Sequence, residues 1–133
     1  MKVFFDTNVL AAGLATRGLC SDLLESAIHD HELIVSQQVL TELKRVLADR
    51  LRLPAPVVTG FLRLLKEDAR IAESGRKPSV PIEDVDDIAL IACALEAGAD
   101  ALVTGDRELL ELRRCGSLPI LSPRQLWQRF AGL

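Results

Sequence analysis

Apolar positions along this chain fall into two rhythms, short continuous runs and longer stretches at helical spacing, and together they predict alternating strands and helices. Lys2–Phe5 is a run of β-type and apolar residues ending in Asp6-Thr7-Asn8, the pattern of a buried strand giving way to a helix start. Residues 21–28 read as helix and 33–35 as a second strand, with Ser36 placed to cap the next helix. Over residues 37–51, Val39, Leu40, Leu43, Val46, Leu47 and Leu51 recur at helical spacing, and Lys44, Arg45 and Asp49 fall outside the stripe. Pro54 and Pro56 end that helix, and a further helix begins at residues 57–65. A loop through Gly75, Pro78 and Pro81 then leads to an acidic cluster.

Every residue of 88–97 except Glu96 is apolar or small, so this helix is expected to be surrounded by protein. Residues 101–104 form a strand, Gly105-Asp106 turns into a short helix through Leu112, and 119–121 is a final strand. Ser122-Pro123 supplies the cap and first-turn proline of a last helix carrying Leu126, Trp127 and Phe130, the two aromatics being core or interface anchors. Short apolar strands alternating with helices imply parallel pairing and right-handed crossovers. The expected fold is therefore α/β, a single three-layer α/β/α domain over residues 1–133 with a central, mostly parallel sheet.

Composition narrows the class. With 133 residues, 49% of them hydrophobic, the chain has enough apolar material for a core that needs no disulfide or metal staple. Cys20, Cys93 and Cys115 are odd in number and widely spaced, which fits a reducing cytoplasm better than a disulfide framework or a zinc cluster. Residues 1–15 are apolar like a leader, but Asp6 and Asn8 interrupt the run, so they are expected to belong to the folded domain. The longest unbroken apolar run, 88–95, is far shorter than the roughly 20 residues that span a bilayer, so no membrane association is expected.

The net charge of -3 argues against a nucleic-acid partner until its distribution is considered. Residues 44–77 carry nine Lys or Arg against four Asp or Glu, and the stretches on either side are each net acidic. A basic segment beside an acidic, cation-binding pocket suits a phosphate-bearing polymer. Arg17, Lys44, Arg45 and Arg107 are the candidates for phosphate contact, though each also suits a solvated surface.

Two strands end alike: Lys2–Phe5 runs into Asp6, and residues 101–104 run through Gly105 into Asp106. In open parallel sheets ligands bind beyond the carboxyl ends of the strands, so both aspartates are expected to face that crevice. Glu42 lies at the edge of its helix's apolar stripe, the position of a cleft wall, and Asp87 immediately precedes the apolar helix. Each acid alone has an ordinary role as a cap, a turn residue or a surface charge. Together they repel one another, and a cation resolves the conflict. Oxygen ligands without His or Cys select a hard divalent ion, which suits phosphodiester hydrolysis with one or two metals. His29 and His31 are assigned no role.

Asp6-Thr7-Asn8 after the first strand, a mid-chain glutamate on a helix, Asp87 before an apolar helix, and the run Gly98-Ala99-Asp100-Ala101-Leu102-Val103-Thr104-Gly105-Asp106 resemble the PIN-domain pattern over nearly the whole chain. The resemblance is greatest to prokaryotic, VapC-like toxin components of toxin-antitoxin pairs. It implies an endoribonuclease dependent on Mg2+ or Mn2+, acting on RNA in the cytoplasm, forming a homodimer and silenced by a cognate antitoxin protein. By position, Asp6 and Asp87 would bind the metal most directly, Glu42 and Asp106 would complete the acidic site, and Asn8 and Thr104 would support it by hydrogen bonds. Asp87 is favoured over Asp86 because Leu90, Ile91 and Ala94 then follow at the family's spacing, with Asp86 able to share the role.

Two other functions compete. A phospho-acceptor receiver domain requires a central strand ending in a lone aspartate and a later strand ending in lysine, and neither is present in the sequence. A catalytically inactive PIN-like module that holds RNA or protein has no evident reason to keep mutually repelling acids.

Overall fold

The computed structural model describes residues 1–73 and 81–133. The expected loop at Gly75 and Pro78 lies outside the described residues, as do Arg76 and Lys77 of the basic segment. Among the described residues six strands form one sheet: β1 (Lys2–Phe5), β2 (Glu32–Ser36), β3 (Arg70–Ala72), β4 (Ala101–Val103), β5 (Arg114–Cys115) and β6 (Leu118–Leu121). Between and after them run α1 (Thr7–Ala15), α2 (Leu19–Asp30), α3 (Gln37–Arg45), α4 (Ala55–Asp68), α5 (Val85–Glu96), α6 (Arg107–Leu112) and α7 (Pro123–Phe130).

The spatial order is β3-β2-β1-β4-β6-β5, parallel throughout except for β5, which pairs antiparallel with β6. β1 lies inside the sheet, with Phe4 opposite Ile34 of β2 and Leu102 of β4. Val3, Phe4 and Phe5 are all fully buried. Successive strand side chains point to opposite faces, so β1 is covered by protein on both sides. Leu33, Ile34 and Val35 of β2 and Ala101, Leu102 and Val103 of β4 repeat the pattern, as a three-layer α/β/α fold requires.

Capping agrees closely with the sequence pattern. The Ser36 hydroxyl accepts from Val39 N at 3.1 Å to start α3, and Ser122 with Gln125 forms a capping box at Pro123–Phe130. The apolar stripe expected over residues 37–51 is α3 followed by one π turn, Val46–Arg50, capped by Leu51, with Arg52 just beyond it at φ +52°. At Gly13 the helices α1 and α2 approach closely: an added Cβ would stand 3.0 Å from Leu24 Cδ2 and 3.2 Å from the Cys20 carbonyl oxygen.

Several expectations need correction. Strands β3 and β5 are not evident in the sequence, because three and two residues are too few to show alternation and both strands lie at the sheet's edges. The helix expected from residue 88 starts at Val85, so Asp87 lies within its first turn instead of before it. Asp84, not Asp86 or Asp87, is the cap. Trp127 is 47% exposed and is not a core anchor, whereas Leu126 is fully buried and Phe130 packs against the core and stacks on His31 with ring centroids 4.0 Å apart. The three cysteines are free thiols. Among the described residues no helix is long and apolar enough to cross a membrane.

Candidate active site

Parallel pairing of β1 with β4 brings their carboxyl ends together: Phe5 is opposite Val103, and Asp6 N donates to the Val103 carbonyl oxygen at 2.9 Å. Asp6 and Thr104 therefore leave the sheet side by side at one edge. The Thr104 hydroxyl, fully buried, donates to Asp6 Oδ2 at 2.7 Å and accepts from Asp106 N at 3.1 Å. Asp6 Oδ1 accepts from Thr7 N at 2.7 Å as α1 begins. Asp106 caps α6, its Oδ1 accepting from Glu108 N at 2.8 Å and Leu109 N at 3.3 Å.

Glu42 arrives from α3, which comes after β2 on the other side of β1. Its Oε2 accepts from the Thr7 hydroxyl at 2.9 Å. A continuous hydrogen-bonded chain thus runs Glu42, Thr7, Asp6, Thr104, Asp106. Asp87 approaches from the first turn of α5, where Asp84 Oδ1 accepts from Asp86 N at 2.8 Å and Asp87 N at 3.1 Å. Gln38 Nε2 donates to the Asp86 carbonyl oxygen at 3.3 Å, tying α3 to the start of α5.

The electrostatics place the acids in one another's fields. Burial raises the Asp6 pKa, hydrogen bonds from Thr104 and Thr7 oppose the rise, and repulsion from Glu42 and Asp106 adds to it. Asp87 is pushed up to about 6, first by burial and then by the charges of Asp84, Asp106, Asp6 and Glu108. Asp87 therefore senses Asp6 and Asp106 directly. Asp86 is exposed and lines a neighbouring cavity of about 420 Å³ with Gln37, Gln38, Thr41, Glu42 and Arg45.

Among the described residues, no three His, Cys, Asp or Glu side chains stand close enough together to hold a metal ion as they are. Asp6 and Asp106 are engaged by protein donors. The donor set nonetheless fits a hard divalent ion. It is entirely oxygen, and each Asp6 oxygen keeps a lone pair after its single hydrogen bond.

The supporting and phosphate-contact candidates divide. Thr104 lies at the centre of the network. Asn8 is exposed and has no side-chain hydrogen bond to a described residue, while Thr7 makes the contact between α1 and the acids. Sequence reasoning does not single out Thr7, although a signal for it was legible: a hydroxyl directly after a strand-end aspartate. Arg45 lines the cavity shared with Glu42 and Asp86; Arg17, Lys44 and Arg107 are exposed. None of the four forms an ion pair among the described residues, where Arg70 and Glu32 make the one such pair, at 3.9 Å.

A strand-end pair of acids joined through a threonine, on a mostly parallel sheet of this order, defines an α/β domain with acids gathered at the carboxyl edge of its sheet. Residues 2–108 match the PIN domain family, and the chain belongs to that family. No curated protein sequence matches it. Solved structures share the fold at low identity. VapBC2 from Rickettsia felis, bound to a DNA fragment from its promoter, is 16% identical, with 92% of this chain and 98% of that chain covered and a TM-score of 0.65. The PIN domain endonuclease Utp24 is 20% identical, with 91% and 84% covered and a TM-score of 0.53. FitAcB from Neisseria gonorrhoeae is 15% identical, with 92% and 98% covered and a TM-score of 0.53.

Proposed function

We propose that this chain is a metal-dependent endoribonuclease that hydrolyses RNA phosphodiester bonds in the cytoplasm, and that it is the toxin component of a toxin-antitoxin pair. The observation that carries the proposal is the hydrogen-bonded chain joining Glu42, Asp6 and Asp106, with Asp87 close enough for the charges of Asp6 and Asp106 to raise its pKa. Membership of the PIN domain family supports it, as does the likeness to the endonuclease Utp24, to VapBC2 and to FitAcB. A cognate antitoxin and a homodimer are part of the same proposal.

Asp6, Glu42, Asp87 and Asp106 are the residues that would hold one or two Mg2+ or Mn2+ ions. When bound, such an ion supplies charge stabilisation for the phosphodiester and lowers the pKa of attacking water. Thr104 orients the site: its one proton is committed to Asp6, so rotation of that carboxylate breaks a hydrogen bond, and its oxygen accepts the Asp106 backbone amide, fixing the start of the segment that carries Asp106. Asp6 is half-buried and held on both oxygens. Arg45 lines the cavity beside Glu42 and would neutralise a flanking phosphate.

The test is incubation of purified protein with RNA and Mn2+ or Mg2+, with and without chelator, beside Asp6→Asn and Asp87→Asn. Cleavage by the wild type that disappears with chelator and falls at least about 100-fold in each variant is expected. Cleavage that survives chelation and both substitutions overturns the mechanism. The binding-module alternative draws on the acids being too far apart to hold an ion unaided. Calorimetric titration that detects no Mg2+ or Mn2+ binding favours that alternative. For the toxin assignment, expression is expected to arrest bacterial growth, and co-expression of the neighbouring reading frame to relieve it.

A further inference from the structure

We infer that Thr7 is a positioning residue for Glu42, acting through its hydroxyl; the inference rests on the proposed metal-dependent site. A hydroxyl in or at the end of a helix can return to the carbonyl four residues earlier. Two threonines of this chain do so: Thr16 donates to the Ala12 carbonyl oxygen at 2.6 Å and Thr41 to that of Gln37 at 3.0 Å. Thr7 is the first residue of α1, and the residue four positions before it belongs to β1, so no such partner exists for it. Its proton goes instead to Glu42 Oε2 at 2.9 Å, across to a different helix and 35 positions along the chain.

The position is specific as well as local. Thr7 is only 4% exposed, and its backbone N–H donates to Asp6 Oδ1 at 2.7 Å. One buried residue therefore orients two acids, through its amide and through its hydroxyl. Glu42 is otherwise a long side chain at the edge of its helix's apolar stripe, with several rotatable bonds and no other hydrogen-bond donor among the described residues. Without the Thr7 hydroxyl its carboxylate is free to turn toward solvent or toward Arg45. The threonine methyl fills buried space whether or not the hydroxyl is present, which separates a packing role from a positioning one.

Three variants separate these roles. Thr7→Val removes the hydroxyl and keeps the shape, Thr7→Ser keeps the hydroxyl and loses the methyl, and Thr7→Ala removes both and fits any space that threonine fills. Calorimetric titration with Mn2+ and RNA cleavage kinetics are measured on each, and circular dichroism melts establish folding. Expected for Thr7→Val and Thr7→Ala is an Mn2+ affinity about 10-fold weaker, with kcat reduced and the KM for RNA little changed. Thr7→Ser is expected to stay within about twofold of wild type despite a lower Tm. On a Glu42→Gln background, Thr7→Val should add less than about twofold, since the two residues act through one contact.

Should wild type bind Mn2+ and cut RNA, and Thr7→Val match it in both, the inference fails while the nuclease proposal stands. Equal impairment of Thr7→Ser and Thr7→Val assigns Thr7 a packing role and also overturns it. If wild type neither binds Mn2+ nor cuts RNA, both proposals fall.

Discussion

Thr104 donates its hydroxyl proton to Asp6 Oδ2 at 2.7 Å, joining residues 98 positions apart at the ends of two adjacent parallel strands. The bond does two things. It holds a buried carboxylate in place, and it opposes the rise in pKa that burial imposes on Asp6.

Removing that hydroxyl should therefore cost stability and charge together. Thr104→Val keeps the volume but leaves Asp6 with one donor fewer and the Asp106 amide without its acceptor. A loss of about 1–3 kcal/mol is expected in urea denaturation of the metal-free protein, with most of it restored in Thr104→Ser. An unchanged denaturation midpoint in Thr104→Val would show that the bond contributes nothing to the fold.

Asp87 predicts a pH dependence of definite sign. Its pKa is about 6 in the folded protein against the ordinary 3.8, so the folded state binds this proton more tightly than the unfolded chain does. The corresponding stability is fully present below about pH 4 and is lost as the pH rises through about 6. In metal-free protein, Asp87→Asn should thus gain in Tm relative to wild type between those pH values. At neutral pH it should exceed wild type by about 1 kcal/mol, a figure already reduced for solvent screening of a half-exposed group. Asp84 and Asp86 continue to serve the helix N-terminus in that variant. A Tm difference that is constant with pH, or that shrinks as pH rises, contradicts this account.

The cap and the charge of Asp84 can be separated. Its side chain accepts from the amides of Asp86 and Asp87, and its charge is the first of the repulsions raising the Asp87 pKa. Asp84→Asn retains an oxygen for the cap, so the fold should be as stable as wild type while the Asp87 pKa, tracked by NMR, moves down. Asp84→Ala should move the pKa likewise but lose about 1 kcal/mol of stability. Equal stability in the two variants would show that the cap is not used.

A prediction away from the site concerns Gly13, where α1 and α2 touch. Alanine ordinarily favours a helix interior over glycine by up to about 1 kcal/mol. Here the new Cβ meets the Cys20 carbonyl oxygen at 3.2 Å and Leu24 Cδ2 at 3.0 Å, and the carbonyl belongs to helix backbone that yields little. Gly13→Ala should therefore be destabilising by about 1 kcal/mol, read by thermal denaturation. A stabilised variant would mean that α2 shifts freely.

The alternation of short apolar runs with helical stripes by itself determined the α/β class and the main strands, because burial on both faces demands continuous apolar residues in Lys2–Phe5 and Ala101–Val103. Asp6 and Asp106 were legible for a related reason, since a strand that ends in an acid delivers that acid to the carboxyl edge of a parallel sheet. The edge strands Arg70–Ala72 and Arg114–Cys115 were not legible, being too short to carry a period and defined by pairing partners distant in the chain. Nor was it legible that Thr7, instead of Asn8, makes the hydrogen bond to Glu42. Which of two neighbouring side chains faces inward depends on the angle at which α1 leaves β1 and on where α3 packs against it, and only the tertiary structure decided that. The same holds for the relation of Glu42 to Asp6 and of Asp87 to both aspartates. Charge repulsion acts through space, so a sequence can supply the acids, but their distances and the donors that hold them exist only once the sheet has been assembled.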